Sequence, residues 1–184
     1  LTTMQLEHTV SLEGFPTYFG MTSHGILWGS SHSGIMLYDT NTSSFIDVPS
    51  VFKTHPIFSE AVVTYAHFSS ARVIYLNTEK HGLFVYDSEE NTLKHQSENG
   101  FPFQVPDVKI TCMYTDTRGN LWIGTYDQGY HIVYSYQERF NNDGWLKLSL
   151  GKKSVISVDC DSQDNLWIST LMDGLYRYNL KEQM

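Results

Sequence analysis

The sequence predicts an all-β chain of about four four-stranded antiparallel sheets, and three observations carry that expectation. A motif recurs every 45 to 48 residues. Each copy holds short β-branched and aromatic runs broken by turn residues. No apolar period of 3.6 residues is sustained over the length of a helix. Repeats of this period are typical of propeller blades, so the sheets are expected to be β-propeller blades. They fall at about 14–50, 58–98, 106–150 and 152–184, with 1–13 supplying the outer strand of a preceding or closing blade.

Two copies are clear. Asp116-Thr-Arg-Gly-Asn-Leu-Trp-Ile-Gly-Thr-Tyr-Asp-Gln-Gly129 and Asp161-Ser-Gln-Asp-Asn-Leu-Trp-Ile-Ser-Thr-Leu-Met-Asp-Gly174 align without a gap at an offset of 45 residues. Nine of the fourteen positions differ little or not at all, which makes chance a poor explanation. Two weaker copies lie upstream. Val73 to Gly82 puts Tyr75 where Trp122 sits, and Gly25 to Gly34 aligns 48 residues earlier. In that ungapped register Leu27 takes the tryptophan slot and Trp28 falls one place late.

Within each copy the strands follow from residue type. Leu121–Thr125 and Leu166–Thr170 are β-branched and aromatic, and the turns Arg118-Gly119-Asn120 and Gln163-Asp164-Asn165 precede them. Ile110–Thr115 and Val155–Cys160 are expected to form hairpins with them. Gly34, Gly82, Gly129 and Gly174 each follow a short polar link and open a third strand, at Ile35–Tyr38, Leu83–Tyr86, Tyr130–Tyr134 and Leu175–Tyr178. Glycine at that place implies a positive φ or close packing. Fourth strands are expected at Ser44–Val48, Thr92–Gln96 and Trp145–Leu150. The last copy has three strands, and Leu6–Leu12 is an orphan strand that either closes a small ring or belongs to an earlier blade.

Composition narrows the function. The 184 residues suffice for one domain with a real core. The formal charge of −8 argues against a nucleic-acid partner, which needs Lys and Arg to neutralise phosphates. No apolar run approaches the roughly 18 residues of a membrane helix, so no direct membrane insertion is expected. Leu1–Glu13 has neither a basic nor an apolar signal-peptide region, and a start at Leu reads as a processed product or a piece of something longer. Cys112 and Cys160, 48 residues apart, form no CxxC motif and are expected to be free thiols, with a disulfide as the alternative.

The Asp-x-x-Gly-Asn-Leu-Trp-Ile-Gly-Thr-x-x-x-Gly core resembles the two-component regulator propeller repeat. Asp116–Gly129 matches it at nearly every position. Asp161–Tyr178 matches with Asp164 and Ser169 in place of glycines, and the two upstream copies match weakly. The resemblance implies two seven-bladed propellers in the periplasmic region of Bacteroides-type hybrid two-component sensor histidine kinases. Many of these respond to glycan fragments. It implies a periplasmic location in an inner-membrane-anchored receptor, with the kinase, receiver and DNA-binding parts outside this chain. Four copies are fewer than seven, so one chain is not expected to make such a ring, and the first two copies depart at the tryptophan slot.

Residues that repeat are expected to be structural, and those that vary to carry function. Trp122 and Trp167 should pack between blades, and Asp116 and Asp161 should cap their turns. Scaffold-held loops carry binding residues. In a propeller the second-to-third-strand links and the blade-to-blade links share one face. That face would present His32, Lys80, Tyr126, Asp127 and Met172, beside His55-Pro56-Ile57-Phe58, Phe101-Pro102-Phe103 and Lys152-Lys153. Aromatic faces with carboxylates and imidazoles suit a polar ligand such as an oligosaccharide. Tyr126, Asp127 and His32 are the first candidates.

The eight His residues form no metal-binding motif, and no nucleophile–base pair or Gly-x-Ser-x-Gly elbow is present. No catalytic residue, metal or cofactor is therefore expected. The leading function is ligand sensing. The alternative is a structural or dimerisation scaffold with no small ligand, and a lyase or hydrolase comes third. An open four-blade arc is expected to expose edge strands and to pair with a second copy or with the remainder of a propeller.

Overall fold

The computed structural model describes residues 16–105, 108–134, 150 and 152–179. They form four antiparallel sheets in chain order. Blade 1 holds β1 (Pro16–Met21), β2 (Ile26–Ser31), β3 (Gly34–Asp39) and β4 (Ser44–Ile46). Blade 2 holds β5 (Val63–Phe68), β6 (Val73–Thr78), β7 (Gly82–Asp87) and β8 (Thr92–His95). Blade 3 holds β9 (Ile110–Thr115), β10 (Leu121–Thr125) and β11 (Tyr130–Val133). Blade 4 holds β12 (Val155–Cys160), β13 (Asn165–Thr170) and β14 (Gly174–Asn179). The expected strand at Leu6–Leu12 lies outside the described residues, and of the one at Trp145–Leu150 only Leu150 is described.

The first strand of each blade packs against the first strand of the next, β1 on β5, β5 on β9 and β9 on β12. These are the inner strands, and each carries a bulge at the same place. The extra residues are Thr17, Thr64, Thr111 and Ile156. A bulge re-aims side chains, and here it turns polar groups onto the next blade. Thr17 Oγ1 donates to the Val63 carbonyl at 2.7 Å, and Thr111 Oγ1 donates to that of Val155. The next residue repeats the device at longer reach. Tyr18 OH donates to the Ala66 carbonyl at 2.7 Å, and Tyr65 OH to that of Met113 at 3.0 Å.

Apolar clusters fill the space between neighbouring blades. Trp28 and Leu37 pack on Ile74, Leu76, Phe84 and Tyr86. Tyr75 and Leu83 pack on Ile110, Leu121 and Ile123. Trp122 and Ile132 pack on Val155, Leu166 and Ile168. Alternation explains the pattern, since odd and even residues of a strand serve opposite faces.

Strand pairing corrects the expected register of blade 1. Ser31 pairs with Gly34 across a two-residue link, whereas Thr78 pairs with Gly82 and Thr170 with Gly174 across three-residue links. Counting back from the glycine therefore slips by one. Trp28, three residues before Ser31, is the counterpart of Tyr75, Trp122 and Trp167, and Leu27 faces the other way. The tryptophan slot of the first copy is filled.

The link glycines all adopt positive φ, between 71° and 119°. At Gly82 an added Cβ would also lie 2.7 Å from the Gln96 amide. Asp164 stands where blade 3 has Gly119, and it takes φ 63° against φ 84° for that glycine. Asp is among the few L-residues that tolerate this region.

Two further differences matter. A single-turn helix, α1 (Val51–Thr54), and a 3₁₀ turn at Phe58–Glu60 connect blades 1 and 2. Four residues are too few to show helical periodicity. They form because Phe52 and Phe58 bury themselves against Trp28, Phe84 and Tyr86, with ring centroids 4.7–5.8 Å apart. Second, no apolar cluster among the described residues joins blade 4 to blade 1. Neighbouring blades meet face to face, and the outermost strands β4 of blade 1 and β14 of blade 4 pair on one side only among the described residues.

Candidate functional site

The links between second and third strands are shaped by one repeated clamp. Thr78 Oγ1 donates to the Gly82 carbonyl at 2.8 Å and accepts the His81 N–H at 3.1 Å. Thr125 does the same with Gly129 and Gln128, and Thr170 with Gly174 and Asp173. In the shorter link Ser31 Oγ accepts the Ser33 N–H at 3.1 Å.

The first link residue is then tied to the entrance of the inner strand. The N–H groups of Glu79, Tyr126 and Leu171 donate to the carbonyls of Val62, Lys109 and Ser154, each at 2.9 Å. Three different side chains thus occupy one equivalent position. All three line a cleft of about 680 Å³ at this face. Its floor is Thr64, Tyr65, Thr111 and Val155, and its rim includes Lys109 and Ile156. A second cleft of about 580 Å³ adjoins it through Asn77, Glu79 and Lys109, and adds Lys80, His81, His95 and Gln96.

The candidate residues therefore separate. Tyr126 lines the larger cleft, half exposed, with Lys109 Nζ 5.3 Å from its ring centroid. Lys80 lines the adjoining one. Asp127, Met172 and His32 line neither cleft. The second residue of the blade 3 and blade 4 links, Asp127 and Met172, stays off the cleft. Glu79 and Leu171 belong to the links Glu79-Lys80-His81 and Leu171-Met172-Asp173 where the sequence places function, though neither was among the chosen candidates, and Lys109 and Asn77 were not singled out. The signal for Glu79 and Leu171 was their place directly after the clamp threonine.

Other expected contributors are taken up by packing. Phe58 is buried in the core, and Phe101 and Phe103 pack beside Tyr75. His55 Nδ1 accepts from the N–H groups of Ile57 and Phe58, and its Nε2 meets Glu98 at 2.8 Å. Lys153 forms an ion pair with Asp173 at 2.9 Å.

Several groups of the cleft are committed within the scaffold. Tyr65 has its phenol pKa raised by burial, and its hydroxyl is committed to Met113. Asn77 Nδ2 donates to Thr64 Oγ1 at 3.1 Å. Cys112, behind the floor, has its thiol pushed up to about 11 by burial, which disfavours the nucleophilic thiolate. Among the described residues no group of three His, Cys, Asp or Glu gathers as metal ligands. What remains is an aromatic face, apolar walls at Ile156 and Leu171, and hydroxyl, amide, carboxylate and ammonium groups between them.

The repeated residues serve the scaffold. Asp116 Oδ1 accepts the N–H groups of Arg118 and Asn120, and Oδ2 accepts Asn120 Nδ2 and the Trp122 indole at 2.9 Å. Asp161 repeats this with Gln163, Asn165 and Trp167.

A family model, the two component regulator propeller, matches residues 104–127, and the chain carries that repeat. No curated protein matches the chain in sequence. Solved structures match its fold. One is an extracellular domain described as that of a hybrid two-component system, BT3049, from Bacteroides thetaiotaomicron. It is 22% identical with a TM-score of 0.66, over 91% of this chain and 21% of that one. Another is PorZ, a surface component of the type-IX secretion system of Porphyromonas gingivalis, at 15% identity and TM-score 0.58, over 89% and 26%. The WD40 β-propeller domain of Doa1 matches at 15% and 0.60, over 91% and 51%. These likenesses show the fold, consecutive blades of a β-propeller. The chain spans about a fifth of the BT3049 domain. No helix among the described residues is long and apolar enough to cross a membrane.

Proposed function

We propose that this chain is the non-catalytic, ligand-sensing part of the periplasmic region of a membrane-anchored hybrid two-component sensor histidine kinase. Its cleft takes a carbohydrate or glycan fragment, and the signal passes to a kinase outside this chain. The observation that carries the reading is the equivalence of Glu79, Tyr126 and Leu171. A rigid, repeated clamp delivers three chemically different side chains to one cleft. Variation on a fixed frame is how scaffolds build binding sites. The half-exposed Tyr126 ring offers a stacking surface for the apolar face of a sugar. Glu79, Lys109 and Asn77 supply polar partners for hydroxyls.

The test is thermal melting of the chain against a panel of neutral and acidic oligosaccharides, followed by calorimetry on any hit. A ligand bound only by the folded state at about 100 times its Kd adds about 2.7 kcal/mol of stability. Tyr126→Ala is expected to weaken binding at least tenfold while leaving the unliganded melting temperature nearly unchanged. A panel without a single shift, or a hit indifferent to Tyr126, sinks the reading.

A further inference from the structure

Two lysines converge on the smaller cleft from neighbouring blades. Lys80 is the second residue of the blade 2 link, and Lys109 stands at the entrance of β9 in blade 3. The cleft lies between blades 2 and 3, and a described blade flanks each of them on its other side. Repeat position makes the pair specific to this junction. The carbonyls that receive the three link N–H groups belong to Val62, Lys109 and Ser154, so one of three equivalent entrances carries a cation. The second link residues are Lys80, Asp127 and Met172, so again one of three does. The two cations meet at one cleft, and both side chains are exposed. Neither forms an ion pair among the described residues, whereas Arg72 meets Asp87, Glu89 and Glu90, and Lys153 meets Asp173. Gln96 adds a neutral donor. Its Oε1 accepts the Leu83 N–H at 2.8 Å, which leaves its Nε2 group to donate. Glu79 is the one carboxylate of this lining among the described residues. Two ammonium groups against one carboxylate make the lining one unit positive, in a chain whose formal charge is −8.

We propose that this basic cleft holds the acidic group, a carboxylate or sulfate, of an oligosaccharide. The inference rests on the sugar-binding reading above and names the class of glycan. The two clefts share Asn77, Glu79 and Lys109, so a chain of sugar rings can occupy both. Lys109 joins their chemistry, since it lies 5.3 Å from the centroid of the Tyr126 ring and also lines the smaller cleft beside Lys80. A clustered charge of one sign in a concave wall focuses the field on an entering ion of the other sign. A hydrogen bond from an ammonium group to an anion is roughly twice as strong as one between neutral partners. A neutral glycan would offer both lysines only hydroxyl groups, whereas an acidic one uses their charge.

Calorimetry on the whole chain tests this with oligogalacturonides, glucuronoxylan fragments and sulfated galactan fragments, each paired with its carboxyl-reduced or desulfated form. At least one acidic member is expected to bind about tenfold or more tightly than its neutral partner, a factor that one charge-assisted hydrogen bond accounts for. Which member does so tells carboxylate from sulfate. Lys80→Met is expected to remove the preference and to leave affinity for the neutral form unchanged, and Lys80→Arg to keep most of it. Lys80 is exposed, so both variants should melt with the wild type. Equal affinity for acidic and neutral partners overturns the proposal, and so does a preference that survives Lys80→Met. In either case, neutral members bound through Tyr126 leave the sugar-binding reading standing. An acidic member lost in Lys80→Met but indifferent to Tyr126→Ala keeps the anion subsite and sinks the role of Tyr126. A chain that binds no member overturns both.

Discussion

Asp116 and Asp161 do the same work in different surroundings. Each ties a turn to the following strand and receives the indole N–H of a tryptophan two strand positions beyond its asparagine. Asp116 is buried, so Asp116→Ala would remove the carboxylate that accepts the Trp122 indole and the Asn120 amide. The expected cost is about 2–4 kcal/mol in urea unfolding. Asp161 is more open, and its carboxyl is held well below the usual range, first by the Trp167 indole and then by Asn165. A depressed acid stabilises above its unfolded pKa of about 3.9, and that contribution fades as pH falls below it. The stability gap between wild type and Asp161→Asn is therefore expected to narrow on going from pH 7 to pH 3. A gap of constant size would mean that the charge on Asp161 is immaterial. The roles of these residues were legible because both copies keep Asp, Asn and Trp at one spacing. Their difference in burial was not, because it depends on what the neighbouring blade places over each turn.

The links show where periodic reading stops. Strand positions and the positive-φ glycines followed from alternation and turn chemistry. The register of blade 1 did not, because a link shorter by one residue shifts every upstream position when copies are aligned on the glycine. The helix α1 was equally invisible, since its cause is the burial of Phe52 and Phe58, not propensity. The clamp threonine was present in three copies but had no evident purpose until its two hydrogen bonds were located. Thr125 is fully buried, so Thr125→Val keeps the shape and strands the Gln128 N–H, while the Gly129 carbonyl loses the hydroxyl and retains the backbone N–H of residue 125 at 2.8 Å. A loss of about 1–3 kcal/mol is expected. Amide exchange at Gln128 should quicken more than exchange within β10. If exchange is unchanged, backbone pairing alone holds the link.

Across the whole molecule, stability depends on seams between blades, and one seam contains a titratable group. His67 on β5 shares a 2.7 Å hydrogen bond with Thr115 on β9, which also bonds Ser69 at 3.0 Å. Burial lowers the His67 pKa to about 4. The folded chain therefore keeps this imidazole neutral at pH values where the unfolded chain, with a pKa near 6.5, already binds a proton. Stability rises with pH wherever the unfolded state binds more protons. Between about pH 6.5 and 4 the blade 2–blade 3 seam should thus weaken on acidification, by on the order of 2–3 kcal/mol in all. His67→Gln retains a hydrogen-bonding group without the titration. Its unfolding midpoint is expected to vary less than that of wild type across this window, and to fall below wild type at pH 7 if the imidazole packs better than the amide. Equal pH slopes for the two proteins would show that His67 is solvated enough to titrate normally. Such a seam could not be read from a single blade. It requires knowing that β5 and β9, 48 residues apart at His67 and Thr115, run side by side.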